Sequence, residues 1–503
     1  MPDHAPLAAE PASVIIVPFR KTETMRLVLA TVGVGYPLFR MLVPSLAMAL
    51  LVIPPLLLLL WLVWRTGQPR QTVRSPLALP LLLCAAALVA SSFLGVAEGA
   101  DRVAILFFWG GAMGVVLFLA IDLLASGWSP HLFLQAILAT VTILLADASW
   151  EVVSRWVSWL ETRQAGDSLL PPYISLDVIG MHHTAAVMPF VLGIPLAIAA
   201  MWRSERVWER WGWGIWLFWA VVVIFSTSAR GGWLATIAAA GTILLPLLWS
   251  AYRAGQFRRL WATVFLSGGY VLLFIVLFVV NYAEVSQTVS LAPPAPGEEA
   301  PDFEEAIESL ANPTGRLVFW ERALQVFAER PLLGAGPGGY PARYDALAPA
   351  RRVYTPPHAH NIYLAFLCEL GLVGTVAFLA LALMAGRVGW HGWHAMAPHS
   401  HERLWLLASG AVVVGMAVNG LVDVPPPQNG ALIFSTIVAG LAYGGCWHLT
   451  VPPLPSPPTA TLTLRSFLAF RPRDLLKVHP LHLLLVATTF IAWGVATLVF
   501  LQR

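Results

Sequence analysis

His358, His360 and Asn361 stand together in PPHAHNIYLAFLCELGLVG, Pro356 to Gly374, where a long polar segment gives way to an apolar run. Imidazole is the side chain that exchanges protons near neutral pH. A histidine at this junction can act on a molecule whose polar end is in water while its lipid tail stays in the membrane. His360 has two readings here: a helix-start residue bonded to backbone, or a general base. Arg230 is the second group of note, in STSARGGWLA between two apolar runs. It either snorkels to the interface or grips phosphate oxygens with its forked guanidinium. Gly231 and Gly232 beside it allow close approach of backbone or ligand.

Other residues carry weaker signals. Arg316 and Arg322 lie in TGRLVFWERALQVF, where a charge reads equally as an ordinary solvated helix residue. Asn419 and Asp423 are one turn apart at the end of an apolar run, where an acid could orient a histidine or bind a sugar hydroxyl. His182 and His183 begin another run and could contact substrate. Glu369 is ionisable within an apolar stretch, a functional hint by default. No carboxylate cluster points to a metal ion, and no cofactor is expected. Cys84, Cys368 and Cys446 all fall inside apolar runs and offer neither a disulfide framework nor a zinc set.

These groups need a scaffold, and composition defines it. The chain of 503 residues is 58% hydrophobic and only 11% charged, with mean hydropathy +0.73, whereas soluble domains carry roughly 25% charged residues. Runs long enough to span a bilayer occur near 27–43, 44–64, 76–96, 103–125, 130–148, 184–202, 212–227, 232–250, 261–281, 362–386, 404–422, 430–448 and 481–500. The expected fold is an all-α polytopic membrane bundle of about 12–13 helices; the segments are too long and too continuous for barrel strands. Basic clusters at Arg20–Arg26, Arg65–Arg74, Arg203–Arg210, Arg253–Arg259 and Arg465–Lys477 fall on one side of such a bundle, the cytoplasmic one by the positive-inside rule. Segments 149–183, 228–231, 282–361 and 423–429 then face outward. The net charge of +3 mostly records those cytoplasmic loops and implies no nucleic-acid partner. With no A-x-A site after a short apolar core, the first span is expected to be an uncleaved anchor.

The chain therefore divides into a cytoplasmic tail (1–26), N-terminal spans (27–281), a large outward loop (282–361), C-terminal spans (362–448), a Pro-rich then basic cytoplasmic linker (449–480) and a last span (481–503). Within the loop, Leu317, Trp320, Leu324 and Phe327 recur at helical spacing and predict a helix over 314–330, ended by Pro331. GAGPGGY, Gly334 to Tyr340, reads as a tight turn. Trp150, Trp156 and Trp159 place the 149–183 segment along the interface. Gly371 and Gly374 are expected to serve close helix packing.

HNIYLAFLCELGLVG fits the pattern H-[NSQ]-x9-G-x-x-G and resembles the O-antigen ligase and O-antigen polymerase superfamily. ERPLLGAGPGGY is similar to the segment that precedes that motif, and STSARGGWLA to its SRG-type element. The resemblance spans roughly 180–445. It implies a bacterial inner-membrane glycosyltransferase, inverting and independent of metal and nucleotide. Such an enzyme moves a glycan from undecaprenyl diphosphate to an acceptor hydroxyl (on lipid A-core, another glycan or a protein) at the outer face. It implies that Arg230 and Arg316 bind the diphosphate and that His360 activates the acceptor, with Asn361, Asp423, His358, His182, His183 and Arg322 as further site candidates. His182-His183 departs from the Asn-His-like pair of relatives, and the last span exceeds the usual twelve. A secondary transporter is the rival from another class; it would place ionisable groups at mid-depth and show repeated halves.

Overall fold

The computed structural model describes residues 77–94, 130–163, 186–227, 229–289, 316–347, 358–397, 400–424, 471 and 473. The expected spans 27–43, 44–64, 103–125, 430–448 and 481–500, the tail, the linker apart from 471 and 473, and His182 and His183 lie outside them. The described residues are predominantly helical, with no strand among them. In chain order the helices are α1 (Ala78–Leu94), α2 (Pro130–Thr162), α3 (Met188–Arg203), α4 (Val207–Ser226), α5 (Arg230–Arg253), α6 (Phe257–Val289), α7 (Arg316–Glu329), α8 (Gly339–Leu347), α9 (Ile362–Ala365), α10 (Gly371–Ala395) and α11 (His401–Gly420). A π-helical turn, Phe366–Leu370, joins α9 to α10. Among the described residues, four stretches are long and apolar enough to cross a membrane: Ile137–Thr162, Arg230–Arg253, Ile362–Ala395 and His401–Gly420. The protein is an all-α polytopic membrane protein.

α3 is the centre of the bundle. Its residues from Met188 to Ala199 are buried on every side, as an all-apolar helix must be when other helices surround it. α2, α4, α5 and α11 enclose it. Small residues bring these helices close. A Cβ on Gly415 of α11 would lie 2.9 Å from Ala239 Cβ and 3.1 Å from the Ala235 carbonyl oxygen of α5. A Cβ on Gly193 of α3 would meet the Trp216 ring at 2.7 Å. That ring's indole N–H donates to Thr142 Oγ1 of α2 at 3.0 Å, so the one polar atom of a buried tryptophan has a partner.

One expectation about these elements needs correction. The span expected at 130–148 does not stop there: α2 continues to Thr162, about 50 Å at 1.5 Å per residue. Trp150, Trp156 and Trp159 therefore ride on an unbroken helix, not on a separate interfacial segment. No Gly or Pro interrupts 149–162, and Ala148 and Val152 remain buried against the core, so packing carries the helix onward. The apolar run expected as one span at 362–386 is one continuous helical stretch, Ile362–Ala395, which the π turn at Phe366–Leu370 widens without ending.

The ends of the bundle differ in character. Arg203, Ser204, Arg206, Glu209 and Trp213 line a polar cleft with His401, the start of α11. At the other end of α11, Asn419 and Val422 pack against Gly231 in the first turn of α5. The basic residues of α3–α4 and the Arg230 region thus sit at opposite ends.

Candidate active site

Two scaffolds converge at the Arg230 end. The bundle supplies Arg230 and Asp423. Arg230 is the exposed first residue of α5, and a Cβ on Gly231 would lie 2.7 Å from Val422 Cγ2 and 2.9 Å from Asn419 Oδ1. Only glycine lets α5 start this close to the turn that leaves α11. Asn419 is itself buried, and its carbonyl accepts the N–H groups of Val422 and Asp423 at 3.0 and 2.9 Å, which fixes where the Asp423 carboxylate emerges.

The second scaffold is the loop, docked on the π turn. Opening a helix by one residue frees carbonyls that an α-helix would consume, and here the loop takes them. Ala335 N–H donates to Cys368 O at 2.8 Å and Gly336 N–H to Glu369 O at 2.9 Å; Leu372 and Val373 N–H donate back to Pro331 O and Leu332 O. Ser91 at the end of α1 donates to Leu333 O or Glu369 O, at 2.6 and 2.7 Å. Gly334 and Gly371 cross backbone to backbone, both at positive φ (68° and 63°), and a Cβ on either would fall 2.4 Å from backbone carbon of the other strand. Gly371 therefore serves the docking of the loop, not the helix–helix packing expected of it. α7 and α8 rest on this seam through Ala323, Val326, Ala335, Tyr340, Ala359 and Cys368.

The inward face of α7 is not the one its large residues suggest. Leu317 and Leu324 are 60% and 50% exposed, whereas Ala323 and Val326 face in. The helical period admits either face, and close approach to the π turn selects the smaller side chains. Phe319 shares the inward side and stacks on the His360 ring, centroids 5.7 Å apart. Tyr340, fully buried, donates its hydroxyl to Phe319 O at 3.0 Å. Burial pushes that hydroxyl well above the ordinary tyrosine range, so it stays a donor. Neither Phe319 nor Tyr340 was singled out in the sequence; Tyr340 closing a glycine-rich turn was the available signal.

His360 sits where the scaffolds meet. Its Nδ1 is 3.3 Å from Asp423 Oδ1, and Val424 N–H donates to the same oxygen at 2.8 Å. Burial alone would push the Asp423 carboxyl up. The His360 hydrogen bond, the Val424 N–H and the nearby charge of His358 and His360 outweigh it, so its pKa lies below the ordinary carboxylate value. An ionised Asp423 makes Nδ1 the donor and leaves Nε2 as the open acceptor. His360 is also the positive-φ residue other than glycine among those described (φ 49°), a conformation that costs of order 1–3 kcal/mol and persists where the surroundings impose it. Those surroundings are Asp423, Phe319, the His358 ring at 4.3 Å, and Asn361. Asn361 caps α9 by accepting from Tyr363 and Leu364 N–H, and donates Nδ2 to Leu421 O at 3.0 Å.

The structure thus brings His358, His360, Asn361 and Asp423 together. Arg316 begins α7 one turn before Phe319 and half-buried, on the loop side of the site. Arg322 bonds Gln325 Oε1 at 2.6 Å, and its Nε is buried without a protein partner. His358, His360 and Asp423 offer ligand atoms within 4.8 Å of one another, the group among the described residues able to hold a metal ion.

The fold and site define a class: a helical membrane protein that holds a His–Asp pair and an exposed arginine at one end of its bundle. Residues 214–379 match the family model described as O-antigen ligase, so this region of the chain is similar to that glycosyltransferase-type family. The match takes in Arg230, Arg316, Arg322, His358, His360, Asn361 and Gly371 and ends before Asp423. No curated protein matches the chain.

Proposed function

We propose that the protein transfers a glycan from an undecaprenyl-diphosphate carrier to an acceptor hydroxyl, with His360 as general base. The observation that carries this reading is the His360–Asp423 contact at 3.3 Å, inside a matched glycosyltransferase-type region. Asp423 fixes the tautomer, and Nε2 takes the acceptor hydroxyl proton as its oxygen attacks the anomeric carbon. The bond from that carbon to the diphosphate breaks, and its electron pair leaves with the diphosphate. One displacement inverts the configuration. Arg230 and Arg316, each at the start of a helix whose dipole favours anions, take up the developing charge. Such preorganised stabilisation is usually the largest single contribution to catalysis. A diphosphate stabilised in this way leaves without a nucleotide or a metal ion.

The location of the site follows from charge. Arg203, Arg206 and Arg210 lie at the end of the bundle remote from His360, so the positive-inside rule turns His360 outward, to the periplasmic face of a bacterial inner membrane. That is where a flipped lipid-linked glycan is presented. Transport is less well supported, because His358, His360 and Asp423 gather past the end of α11 and not at mid-depth.

The test is reconstitution of the full chain in vesicles with a lipid-diphosphate-linked glycan and three acceptors in parallel: lipid A-core, a second lipid-linked glycan, and a protein. Transfer to one of them without nucleotide is expected, and the arm that reacts assigns ligase, polymerase or protein glycosylation. Absence of transfer in all three, with intact folded protein, overturns the reading.

A further inference from the structure

We propose that His358, His360 and Asp423 form a transition-metal site that takes Zn²⁺ or Co²⁺, and that occupancy switches the enzyme off. Residue types and spacing alone point to no metal here; the juxtaposition does. One imidazole nitrogen from each histidine and one Asp423 oxygen lie within 4.8 Å of one another. Ligands held about 2.0–2.1 Å from a tetrahedral zinc are about 3.4 Å apart. His360 Nδ1 and Asp423 Oδ1, at 3.3 Å, already have that spacing, and a ring nitrogen of half-buried His358 lies within 4.8 Å of both; that ring would have to give up the hydrogen bond its Nδ1 accepts from His360 N–H to come closer. Two imidazoles and a carboxylate are a donor set that suits zinc and its neighbours. Both histidine rings are partly open to solvent while Asp423 is buried. A water can then complete the fourth position, and the carboxylate anchors the site from within.

The switch follows from the tautomer. In the resting pair the proton is on His360 Nδ1, directed at Asp423, and Nε2 holds the free electron pair. A dication bound at Nδ1 takes the electron pair there, so the ring proton resides on Nε2. The neutral ring neither gains nor loses a proton in the exchange. Nε2 is then a donor and cannot accept the acceptor's hydroxyl proton. Loss of turnover on metal binding thus rests on the general-base reading above, whereas binding itself does not.

The two halves can be tested apart. Purified full-length protein, stripped with chelator, is titrated with Co²⁺ alone while the visible d–d band is followed. One Co²⁺ per chain is expected, displaced by Zn²⁺. His358→Gln and Asp423→Asn should each weaken binding by at least the roughly 10–100-fold that loss of even an outer-shell partner costs. Two chemically different variants guard against one of them failing to fold, and the displacement by Zn²⁺ is read on the unaltered chain. No saturable band on the unaltered chain, or a band with unchanged affinity in both variants, overturns the site. In turnover assays, Zn²⁺ at saturating levels should abolish transfer, and chelator should restore it. If Co²⁺ binds as expected and Zn²⁺ leaves turnover intact, the switch is refuted and His360 is not the base. If Zn²⁺ inhibits with no Co²⁺ band, the inhibition arises elsewhere and the site is refuted.

Discussion

The bundle and the loop junction each deliver half of the site, and they hold it by different means. In the bundle, helices approach where a side chain lies on a glycine: Val422 and Asn419 on Gly231, Val187 on Gly232, Trp216 on Gly193. Side chains can shift by a few tenths of an ångström. At the junction, Gly334 and Gly371 place backbone on backbone, pinned by four loop-to-helix amide bonds, and nothing there can give. Arg230 and Asp423 thus stand on a surface with some play, and His360 on one without. On the proposed mechanism that suits His360, which would have to meet a proton within hydrogen-bond reach, while an arginine acting on a diphosphate would tolerate a less exact position.

The comparison can be tested by measuring what each half contributes, from the largest effect to the smallest. His360→Ala should lower turnover by about 10²–10⁴-fold with donor affinity little changed, because the base acts in the transition state. Lost donor binding with normal turnover at saturation would make His360 a binding residue. Arg230→Ala should cost roughly 10²–10³-fold, the effect of removing one transition-state donor, with membrane insertion intact. Arg230→Lys should recover little of it, since lysine keeps the charge but not the fork; full recovery would reduce Arg230 to a generic positive charge.

The glycines separate the two scaffolds directly. Gly371→Ala should destabilise by at least the roughly 1–3 kcal/mol of a strained backbone position, because its Cβ would fall 2.4 Å from Leu332 C, and should reduce turnover along with the melting temperature. Gly231→Ala should be milder, since Val422 and Asn419 side chains can move. Gly410→Ala, which meets nothing within 4 Å, should leave the melting temperature unchanged or raised. Equal losses at 371 and 231 would erase the proposed difference in rigidity.

The smallest effect is electrostatic. The folded pKa of Asp423 is depressed, so its contribution to stability is present above the unfolded carboxylate value of about 3.9 and is lost as pH falls through the lower folded value. The melting-temperature gap between the unaltered chain and Asp423→Asn should therefore be open at neutral pH and begin to narrow as pH falls below about 4. A gap that does not narrow at all with further acidification would show that Asp423 stabilises through packing alone.

Helix positions were legible in the sequence wherever apolar runs were bounded by charge, as in α3, α5 and α11. The π turn was not, because FLCEL carries no local mark of it; it exists because the loop offers N–H groups to the carbonyls it frees. For the same reason Gly371 was read as a helix-packing residue. His360, Arg230 and Asp423 could be singled out by type and position, but the sequence leaves 62 residues between His360 and Asp423, and only tertiary packing sets them at 3.3 Å. Phe319 was hidden because its neighbours Leu317, Trp320 and Leu324 form the more obvious apolar stripe.

Asn361 has a consequence for how this motif can vary. It does two jobs with one short amide: its oxygen caps α9 and its nitrogen ties the loop exit to Leu421 at the end of α11. Serine at this position would keep the cap and give up the tie. Glutamine would keep an amide but cap poorly, because its extra methylene carries the oxygen past the first turn. The small set of residues that the H-[NSQ] pattern admits is then a graded choice between a well-started helix and a firmly moored loop. In this chain both are held at once, so the residue that follows His360 is anchored to two helices.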